Sequence, residues 1–287
     1  MQAISLHSRR RNCNYTFANL IGWQFWFNSE LWLAGDAVVL RFSPVTLRRA
    51  YMVCTAGVPS GRFIDMLLSD SGGRLTILGL EDDQAVALRD SRTDLNVAIE
   101  PRRDSYDYIY LREALAKLEG GRLKAKRNHV NRFVSEHPDY EYRELTPALF
   151  DECRRIETLW RDERGNVNPA FGDTIAAEHR VMENVFAHWD ELGMIGGSIF
   201  IDGRMAAFTY GAAVTSDTFD VCVEKADRTV DGIFSVINQQ FCSRLPKDFI
   251  YVNREEDMGL EGLRKAKLSY HPETLLTYNV VHITPHD

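Results

Sequence analysis

Residues 194–226 read MIGGSIFIDGRMAAFTYGAAVTSDTFDVCVEKA and contain the strongest strand and turn signals of the chain. Two runs rich in apolar residues, 194–201 and 204–214, flank Asp202-Gly203, a residue pair that favours the two-residue turn of a β-hairpin. A third strand-like run, 218–226, follows another short turn. The stretch therefore predicts an antiparallel meander of three strands.

The segments around the meander complete one half of the protein. Downstream, we expect a helix over 232–245 and a short buried strand over 248–252, which a right-handed crossover places parallel to the last meander strand. Upstream, a strand over 140–145 precedes two helices with apolar residues at helical spacing. The predicted order is helix pair, meander, helix, strand.

Residues 1 to about 100 predict a smaller α/β half. The strand-like runs are 37–42 and 75–80, the helical stretches are near 60–69 and 81–90, and we expect 95–99 and 106–110 to extend the same sheet. We therefore divide the chain into an N-terminal half (1–118), a basic connecting helix (119–139) and a C-terminal half (140–287) that carries the candidate active site.

A charged run, 253–272, follows the last strand of the C-terminal half. Strand ends are where active-site loops lie in α/β sheets. The carboxylates of the run are candidates to accept a proton, and its cations are candidates to hold a phosphate or carboxylate. The alternative is a solvated turn with salt bridges. The candidate residues are an acidic triplet, Glu255, Glu256 and Asp257, and a basic triplet, Arg264, Lys265 and Lys267.

A second charged segment is basic, although the chain as a whole has a formal net charge of -7. Residues 122–132 contain five Lys or Arg and no acid. A helix here is amphipathic, with Val130 and Phe133 as anchors, and its charges suit nucleic-acid phosphates, a coenzyme pyrophosphate or anionic lipid headgroups. A solvated linker helix is the other interpretation.

Several segments, in their order along the chain, resemble the phosphatidylglycerol lysyltransferase C-terminal-domain family. The matching segments are 17–20, 106–110, 126–133, 219–226, 237–240 and 253–272. The resemblance implies an α/β (α+β) protein of two tandem GNAT-like (acyl-CoA N-acyltransferase) domains, with mixed central sheets flanked by helices, and a similarity to the Fem-type transferases. The element order predicted above for 140–252 is also that of a GNAT fold.

The resemblance further implies an acyltransferase. We expect an aminoacyl-tRNA-dependent enzyme that transfers an aminoacyl group to an anionic lipid or to another small amine or hydroxyl acceptor, without a tightly bound cofactor. Two alternatives stay open: an acyl-CoA-dependent N-acyltransferase, and a non-catalytic module that binds RNA or an anionic membrane.

The expected catalytic residues are carboxylates of the charged run and its neighbourhood. Glu256 or Asp257 is the candidate base, Glu224 is the reserve, and Tyr270 is a candidate proton donor to the leaving oxygen. The expected donor or phosphate contacts come from the basic helix, the loop before 233 and the charged run: Lys126, Arg127, Asn128, Arg132, Arg228, Gly232, Arg264, Lys265 and Lys267. Arg228 and Gly232 stand four apart, whereas the GNAT pyrophosphate signature R-x-x-G-x-G/A has a spacing of three.

Other residue patterns exclude several classes of protein. The eight histidines form no H-E-x-x-H motif, and the five cysteines form no C-x-x-C motif and are odd in number, so we expect neither a metal site nor a disulfide framework. No Walker motif, signal peptide or run of about 18 apolar residues is present. We expect a cytoplasmic protein without a transmembrane segment; a peripheral location at the inner membrane face is the alternative.

Overall fold

The computed structural model describes residues 10–34, 37–43, 49–55, 59, 61–165 and 172–286, without the side-chain surroundings of 34, 160–165 and 172–175. These residues form a mixed α/β structure with two mixed sheets flanked by helices. Before the first strand, a short 3-10 turn, Cys13–Tyr15, leads into two small helices, α1 (Phe17–Gly22) and α2 (Gln24–Phe27).

The first sheet contains six strands in the order β1-β2-β3-β4-β13-β5. All of its pairings are antiparallel except β3 with β4. Two amphipathic helices, α3 (Gly61–Asp70) and α4 (Asp82–Ser91), belong to this half. Its strands are β1 (Glu30–Ala34), β2 (Ala37–Phe42), β3 (Ala50–Cys54), β4 (Leu75–Leu80), β5 (Leu95–Pro101) and β13 (Asn279–Pro285).

The second sheet contains seven strands in the order β12-β6-β11-β10-β9-β8-β7. Its strands are β6 (Asp107–Leu111), β7 (Glu141–Glu144), β8 (Ile195–Ile201), β9 (Arg204–Ala213), β10 (Thr218–Ala226), β11 (Tyr251–Asn253) and β12 (Thr274–Leu276). Its helices are α5 (Arg112–Lys117), α6 (Lys124–Glu136), α7 (Phe150–Gly165), α8 (Gly172–Ala187), α9 (Ile233–Arg244) and α10 (Glu261–Leu268).

The expectation that 106–110 extends the first sheet is wrong. β6 lies in the second sheet, between β12 and β11, and the late strand β13 instead fills the place between β4 and β5 of the first sheet. Four consecutive residues of β6, from Asp107 to Tyr110, are buried, so the strand needs cover on both faces. Such an apolar run predicts a central strand but not the sheet that receives it. The division into two tandem halves stays a prediction.

The meander is confirmed. β8 and β9 pair antiparallel with Ile201 opposite Arg204, so the turn falls at 202–203 as the sequence predicts. β9 and β10 pair antiparallel, and α9 carries the chain to β11, which lies parallel to β10. The helix is held by buried apolar residues such as Val236, Ile237 and Phe241, which join the core of the second sheet.

The pairing of β10 with β11 is short, and this shapes the molecule. Only Thr218 to Asp220 pair with β11, while β10 continues to Ala226. On its other side, β10 shifts register against β9 between Asp220 and Val223, which marks a β-bulge. Beyond Asp220 the two parallel strands are no longer paired, and a cleft opens there.

We predict that the close approach of β9 to β10 at this bulge is essential for folding. A Cβ added at Gly211 would lie 1.8 Å from the carbonyl oxygen of Asp220. Gly211→Ala therefore forces the strands apart and is expected to lower the free energy of unfolding by about 2 kcal/mol, measured by urea denaturation. Gly121→Ala is the control, because nothing lies within 4 Å of its added Cβ. Wild-type stability of Gly211→Ala would contradict the prediction.

Candidate active site

A cleft of about 1140 Å³ opens where β10 and β11 separate. Its walls come from distant parts of the chain: helices α1 and α2, helix α6, helix α8, the second half of β10, the loop after β11 and helix α10. Among the described helices, none is long and apolar enough to cross a membrane.

The cleft brings six of the thirteen predicted site residues together. Those that line it are Glu224, Glu256, Tyr270, Lys126, Arg228 and Lys267. Those that do not are Asp257, Arg127, Asn128, Arg132, Gly232, Arg264 and Lys265. Most of these seven residues outside the cleft have partners elsewhere in the protein.

Asp257 belongs to a buried ion-pair network rather than to the cleft. Its carboxylate accepts two hydrogen bonds of 2.9 Å from Arg264, one of 3.0 Å from Arg103 and one of 2.6 Å from the Tyr108 hydroxyl. Burial opposes ionisation, but the hydrogen bonds from Arg264 and Tyr108 lower the pKa of Asp257 well below its usual range. Asp257 and Arg264 therefore have contacts that suit a structural role better than catalysis.

Three other predicted phosphate contacts also have structural partners. Arg127 donates to the carbonyl oxygens of Leu118 and Gly120, at 2.5 and 3.3 Å, beyond the end of α5. Arg132 pairs with Asp231 at 2.5 Å. Gly232 has a φ of 76°, and a Cβ there would lie 2.8 Å from the carbonyl oxygen of His129, so this glycine permits the contact of α9 with α6. Asn128 and Lys265 are exposed outside the cleft.

The cationic wall of the cleft is centred on Arg254, which the sequence analysis did not single out. Arg254 donates to both carboxylate oxygens of Glu224, at 3.0 and 3.2 Å, and its guanidinium lies 4.9 Å from the ring centroid of Tyr270. The ammonium of Lys126 lies 4.2 Å from the same ring. Burial, followed by the nearby Arg254 charge, lowers the pKa of Lys126. Glu224 thus forms an ion pair with Arg254, and Glu256 is therefore the stronger candidate base.

Tyr270 lies between these cations and α9. Its side chain is buried, and its hydroxyl lies 3.3 Å from the hydroxyl of Ser235. Burial raises the pKa of Tyr270, so the phenol keeps its proton. A protonated phenol beside two cations fits the predicted role of a proton donor.

Another part of the cleft lining, the acidic wall, is formed by Glu255 and Glu256. Glu255, which has a φ of 57°, accepts a hydrogen bond of 2.8 Å from Asn19, and Glu256 is its neighbour in the same loop. Burial, followed by the charge of Asp220, raises the pKa of Glu255 well above its usual range. Lys267 does not neutralise these carboxylates directly, because its ammonium donates to the backbone carbonyl oxygens of residues 254, 255 and 256, at 2.5, 3.1 and 2.5 Å. Lys267 therefore shapes the loop.

Behind the acidic wall lie residues that the sequence analysis missed. Asp107 and Asp220 are fully buried, and Cys13, at the N-terminal side of α1, contacts Asp107. Two clusters here each contain one thiol and two carboxyl groups, with the sulfur and carboxyl oxygen atoms within 4.8 Å of one another. The first contains Cys13, Asp107 and Glu256, and the second contains Asp220, Cys222 and Glu255. The signal that could have revealed Asp107 and Asp220 is an acidic residue inside an otherwise apolar strand, which is rare unless it has a specific role.

The far end of the cleft is apolar. It is formed by α1, α2, β2 and α8, and the indole of Trp26 is 43% exposed there. Exposed aromatic surface beside a cavity is a common feature of ligand sites. The residues at this end are Leu20, Trp23, Trp26, Phe27, Phe42, Val181, Met182 and Val185. The cleft thus combines a cationic wall, an acidic wall and an apolar end.

The fold is GNAT-like: a crossover places two parallel strands side by side, and the cleft opens where they separate. The family follows from the sequence. Residues 7–281 match the model of the family described as phosphatidylglycerol lysyltransferase, C-terminal, and the chain belongs to this family. The resemblance seen in the sequence is confirmed.

Solved structures agree with this assignment. A conserved protein of unknown function from Bacteroides thetaiotaomicron VPI-5482 is 35% identical, with a TM-score of 0.91 over 99% of this chain and 95% of that one. The C-terminal domain of a putative lysylphosphatidylglycerol synthetase from Agrobacterium fabrum (11% identity, TM-score 0.62, 100% and 93% covered) and L-PGS from Bacillus licheniformis (12%, 0.59, 92% and 86%) share the fold. None of the curated protein sequences is significantly similar to this chain.

We predict that Asp257 stabilises the fold. Asp257→Asn removes the charge that binds Arg264 and is expected to lower the free energy of unfolding by about 2 kcal/mol at pH 7. Because the pKa of Asp257 is lowered in the folded state, this stabilisation is present above the unfolded pKa of about 4 and is lost as the pH falls below it. Urea denaturation at pH 7 and pH 3 checks both points, and the half-exposed Asp104→Asn is the control. A loss that is equal at both pH values would contradict the charge-based role.

Proposed function

We propose that this protein transfers an aminoacyl group from aminoacyl-tRNA to a hydroxyl or amine acceptor in the cleft. The observation that carries the proposal is the cleft itself, which places cations, carboxylates and an apolar surface around one cavity. Family membership and the GNAT-like fold support an acyltransferase in general. The cationic wall, the acidic wall and the apolar end of the cleft support this choice of donor and acceptor.

The cationic wall suits the tRNA 3′ end. Lys126 and Arg254 lie inside the cleft, and Arg228 is exposed at its edge. The exposed side chains of Arg122 and Lys124 continue the positive charge along the start of α6. A single-stranded RNA end that enters the cleft along α6 would meet these cations in sequence, as phosphate-binding grooves require.

The acidic wall suits the amino group of the donor. Every aminoacyl ester carries an α-ammonium next to the reactive carbonyl. An ammonium that enters the cleft favours the ionised form of the Glu255 carboxyl, whose pKa burial raises, and gains an opposite charge there. Glu255 faces the cleft and is fixed by Asn19, which orients its carboxylate. An acetyl group on coenzyme A has no ammonium next to its carbonyl, so Glu255 would have no donor group to bind, and this favours the aminoacyl donor.

The apolar end suits the acceptor. Trp23, Trp26 and Phe27 offer an aromatic surface that continues into the interior of the cleft. The hydrophobic effect would hold the apolar part of an amphiphilic acceptor there, while its hydroxyl or amine points towards the carboxylates. An anionic lipid is one acceptor with this form.

The reaction follows from this arrangement. The acceptor oxygen or nitrogen attacks the ester carbonyl carbon, a new ester or amide bond forms, and the bond to the ribose oxygen of the tRNA breaks. Glu256 takes the proton of the acceptor, and the ribose oxygen leaves with a proton donated by Tyr270. Lys126 and Arg254 stabilise the negative charge that develops on the carbonyl oxygen.

A covalent intermediate on the protein is not needed, because the ester is already activated. Two thiols line the cleft, Cys13 and Cys222. Burial, followed by neighbouring carboxylates, raises the pKa of both well above the usual value, so both stay protonated. A protonated thiol is a poor nucleophile.

The direct test offers purified protein a mixture of radiolabelled aminoacyl-tRNA species, with phosphatidylglycerol vesicles or a soluble amine as the acceptor. Transfer of label to an acceptor supports the proposal. Transfer from acetyl-CoA instead would identify an acyl-CoA-dependent N-acyltransferase. Salt-sensitive RNA or vesicle binding without transfer from either donor would identify a binding module.

We predict that Glu256→Gln lowers the rate of aminoacyl transfer by about 10²–10⁴-fold, because the amide cannot accept the proton of the acceptor. Binding of aminoacyl-tRNA should persist, since the cationic wall is intact. Single-turnover transfer and filter binding measure the two effects. Glu261→Gln, exposed in the first turn of α10 and outside the cleft, is the matched control. Full activity of Glu256→Gln would remove this carboxylate from the mechanism.

We also predict that α6 contacts phosphates. Replacement of Lys124 and Lys126 by Ala should weaken tRNA binding and reduce the slope of log affinity against log salt by about 1.4, because each single-stranded phosphate contact contributes about 0.7. Binding measured over a salt series gives this slope. Lys117→Ala is the control, because Lys117 lies on α5 and pairs with Glu113. An unchanged slope in the double variant would show that the RNA binds elsewhere.

A further inference from the structure

A thiol lies between two carboxylates at the inner end of the acidic wall. The sulfur of Cys13 is 3.3 Å from Oδ1 of Asp107 and 3.5 Å from Oε2 of Glu256. Cys13 is 3% exposed and Asp107 is fully buried, whereas Glu256 reaches the cleft. The thiol therefore connects the candidate base to a second carboxyl group that no substrate can touch.

The remaining contacts of Asp107 fix its orientation. Its Oδ2 accepts hydrogen bonds of 2.7 Å from the backbone N–H of Cys13 and 2.8 Å from Nδ2 of Asn253. Oδ1 is thus directed to the sulfur. A thiol has one proton to donate, so it can satisfy one carboxylate at a time. The second contact becomes favourable only when a carboxyl group carries a proton of its own.

The surrounding charges also favour a protonated carboxyl group in this cluster. Glu255 from the same loop and Asp220 from β10 add negative charge, and Tyr278, ahead of β13, is the neighbouring phenol. Lys267 from α10 is the nearby cation, but its ammonium is held by three backbone carbonyl oxygens. Burial, followed by the Glu256 charge, raises the pKa of Asp107 to about 7. Several buried carboxylates without a matched set of cations must retain protons.

We infer that Cys13 and Asp107 are positioning residues for Glu256: a protonated Asp107 donates to the sulfur of Cys13, and the thiol in turn donates to Glu256 and holds its carboxylate in place. This inference rests on the proposed role of Glu256 as the base. When Asp107 ionises, it competes with Glu256 for the one thiol proton, and the position of Glu256 is no longer fixed.

The first test needs no substrate. The unfolded chain releases the Asp107 proton near pH 4, whereas the folded protein keeps it to about pH 7, so the wild type loses stability across this window and Asp107→Asn does not. The ratio of the unfolding constants of wild type and Asp107→Asn should therefore rise by about tenfold per pH unit between pH 5 and 7 and then level off. Asp151→Asn, whose side chain is 95% exposed, is the control. A ratio that does not change with pH would overturn the inference.

The second test uses the reaction. In wild-type protein, the single-turnover rate of transfer should fall as the pH passes 7, because Asp107 ionises and no longer donates to the thiol that holds Glu256. Asp107→Asn should lack this fall, because its amide does not titrate. Cys13→Ser, which preserves a donor between the carboxylates, should keep the fall, and Cys13→Ala should behave like Asp107→Asn. A fall near pH 7 that survives in Asp107→Asn would contradict the inference. If no donor supports transfer, the proposed function fails, and the unfolding experiment still decides whether Asp107 keeps its proton to about pH 7, which the inference requires.

Discussion

The parallel pairing of β10 with β11 is short, and both the cleft and its cationic wall depend on this. Three residue pairs join the two strands, and the pairing ends at Asp220. Beyond the paired residues, Glu224 of β10 and Arg254, which follows β11, contact each other through their side chains, 3.0 Å apart. The bulge opposite, where Gly211 touches the backbone of Asp220, turns β10 away from its partner. Cleft and ion pair are therefore two consequences of one strand geometry.

The N-terminal segment completes this arrangement. Thr16 donates a hydrogen bond of 2.5 Å to Asp220, and Asn253 donates one of 2.7 Å to the backbone carbonyl of Arg11, so the segment crosses the point where the strands separate. It brings Cys13 and Asn19 against the acidic wall. Burying carboxylates in such a place disfavours their charged forms, and a protein tolerates this where the shifted proton affinity is useful. The N-terminal segment thus both joins the two strands and contacts the carboxyl groups of the proposed site.

The sequence predicts the fold of 140–252 well because its signals are local. The turn at Asp202-Gly203 and the spacing of apolar residues in α9 depend on neighbours in the chain, and both are confirmed. The placement of β6 and β13 depends on which sheet edge is free, which no local pattern reports. The exchange of strands between the sheets is accordingly the part of the fold that sequence reasoning missed.

The same distinction applies to the site. Charge patterns in 253–272 and in α6 identify Glu256, Lys126 and Lys267, which do line the cleft. They also suggest Asp257, because a carboxylate in a sequence run looks the same whether it faces a cleft or two arginines. Asp107 comes from a strand of unrelated sequence position and becomes a neighbour of Glu256 only through the fold. Partners of this kind follow from tertiary contacts.

The aminoacyl site can be tested by a crystal structure with a non-hydrolysable amide analogue of aminoacyl-adenosine. We expect the ammonium of the analogue to contact Glu255, its carbonyl group to lie between Lys126 and Glu256, and its ribose to point along α6. An analogue bound outside the cleft, or bound with its ammonium away from the acidic wall, would contradict the assignment of the cleft as the site of aminoacyl transfer.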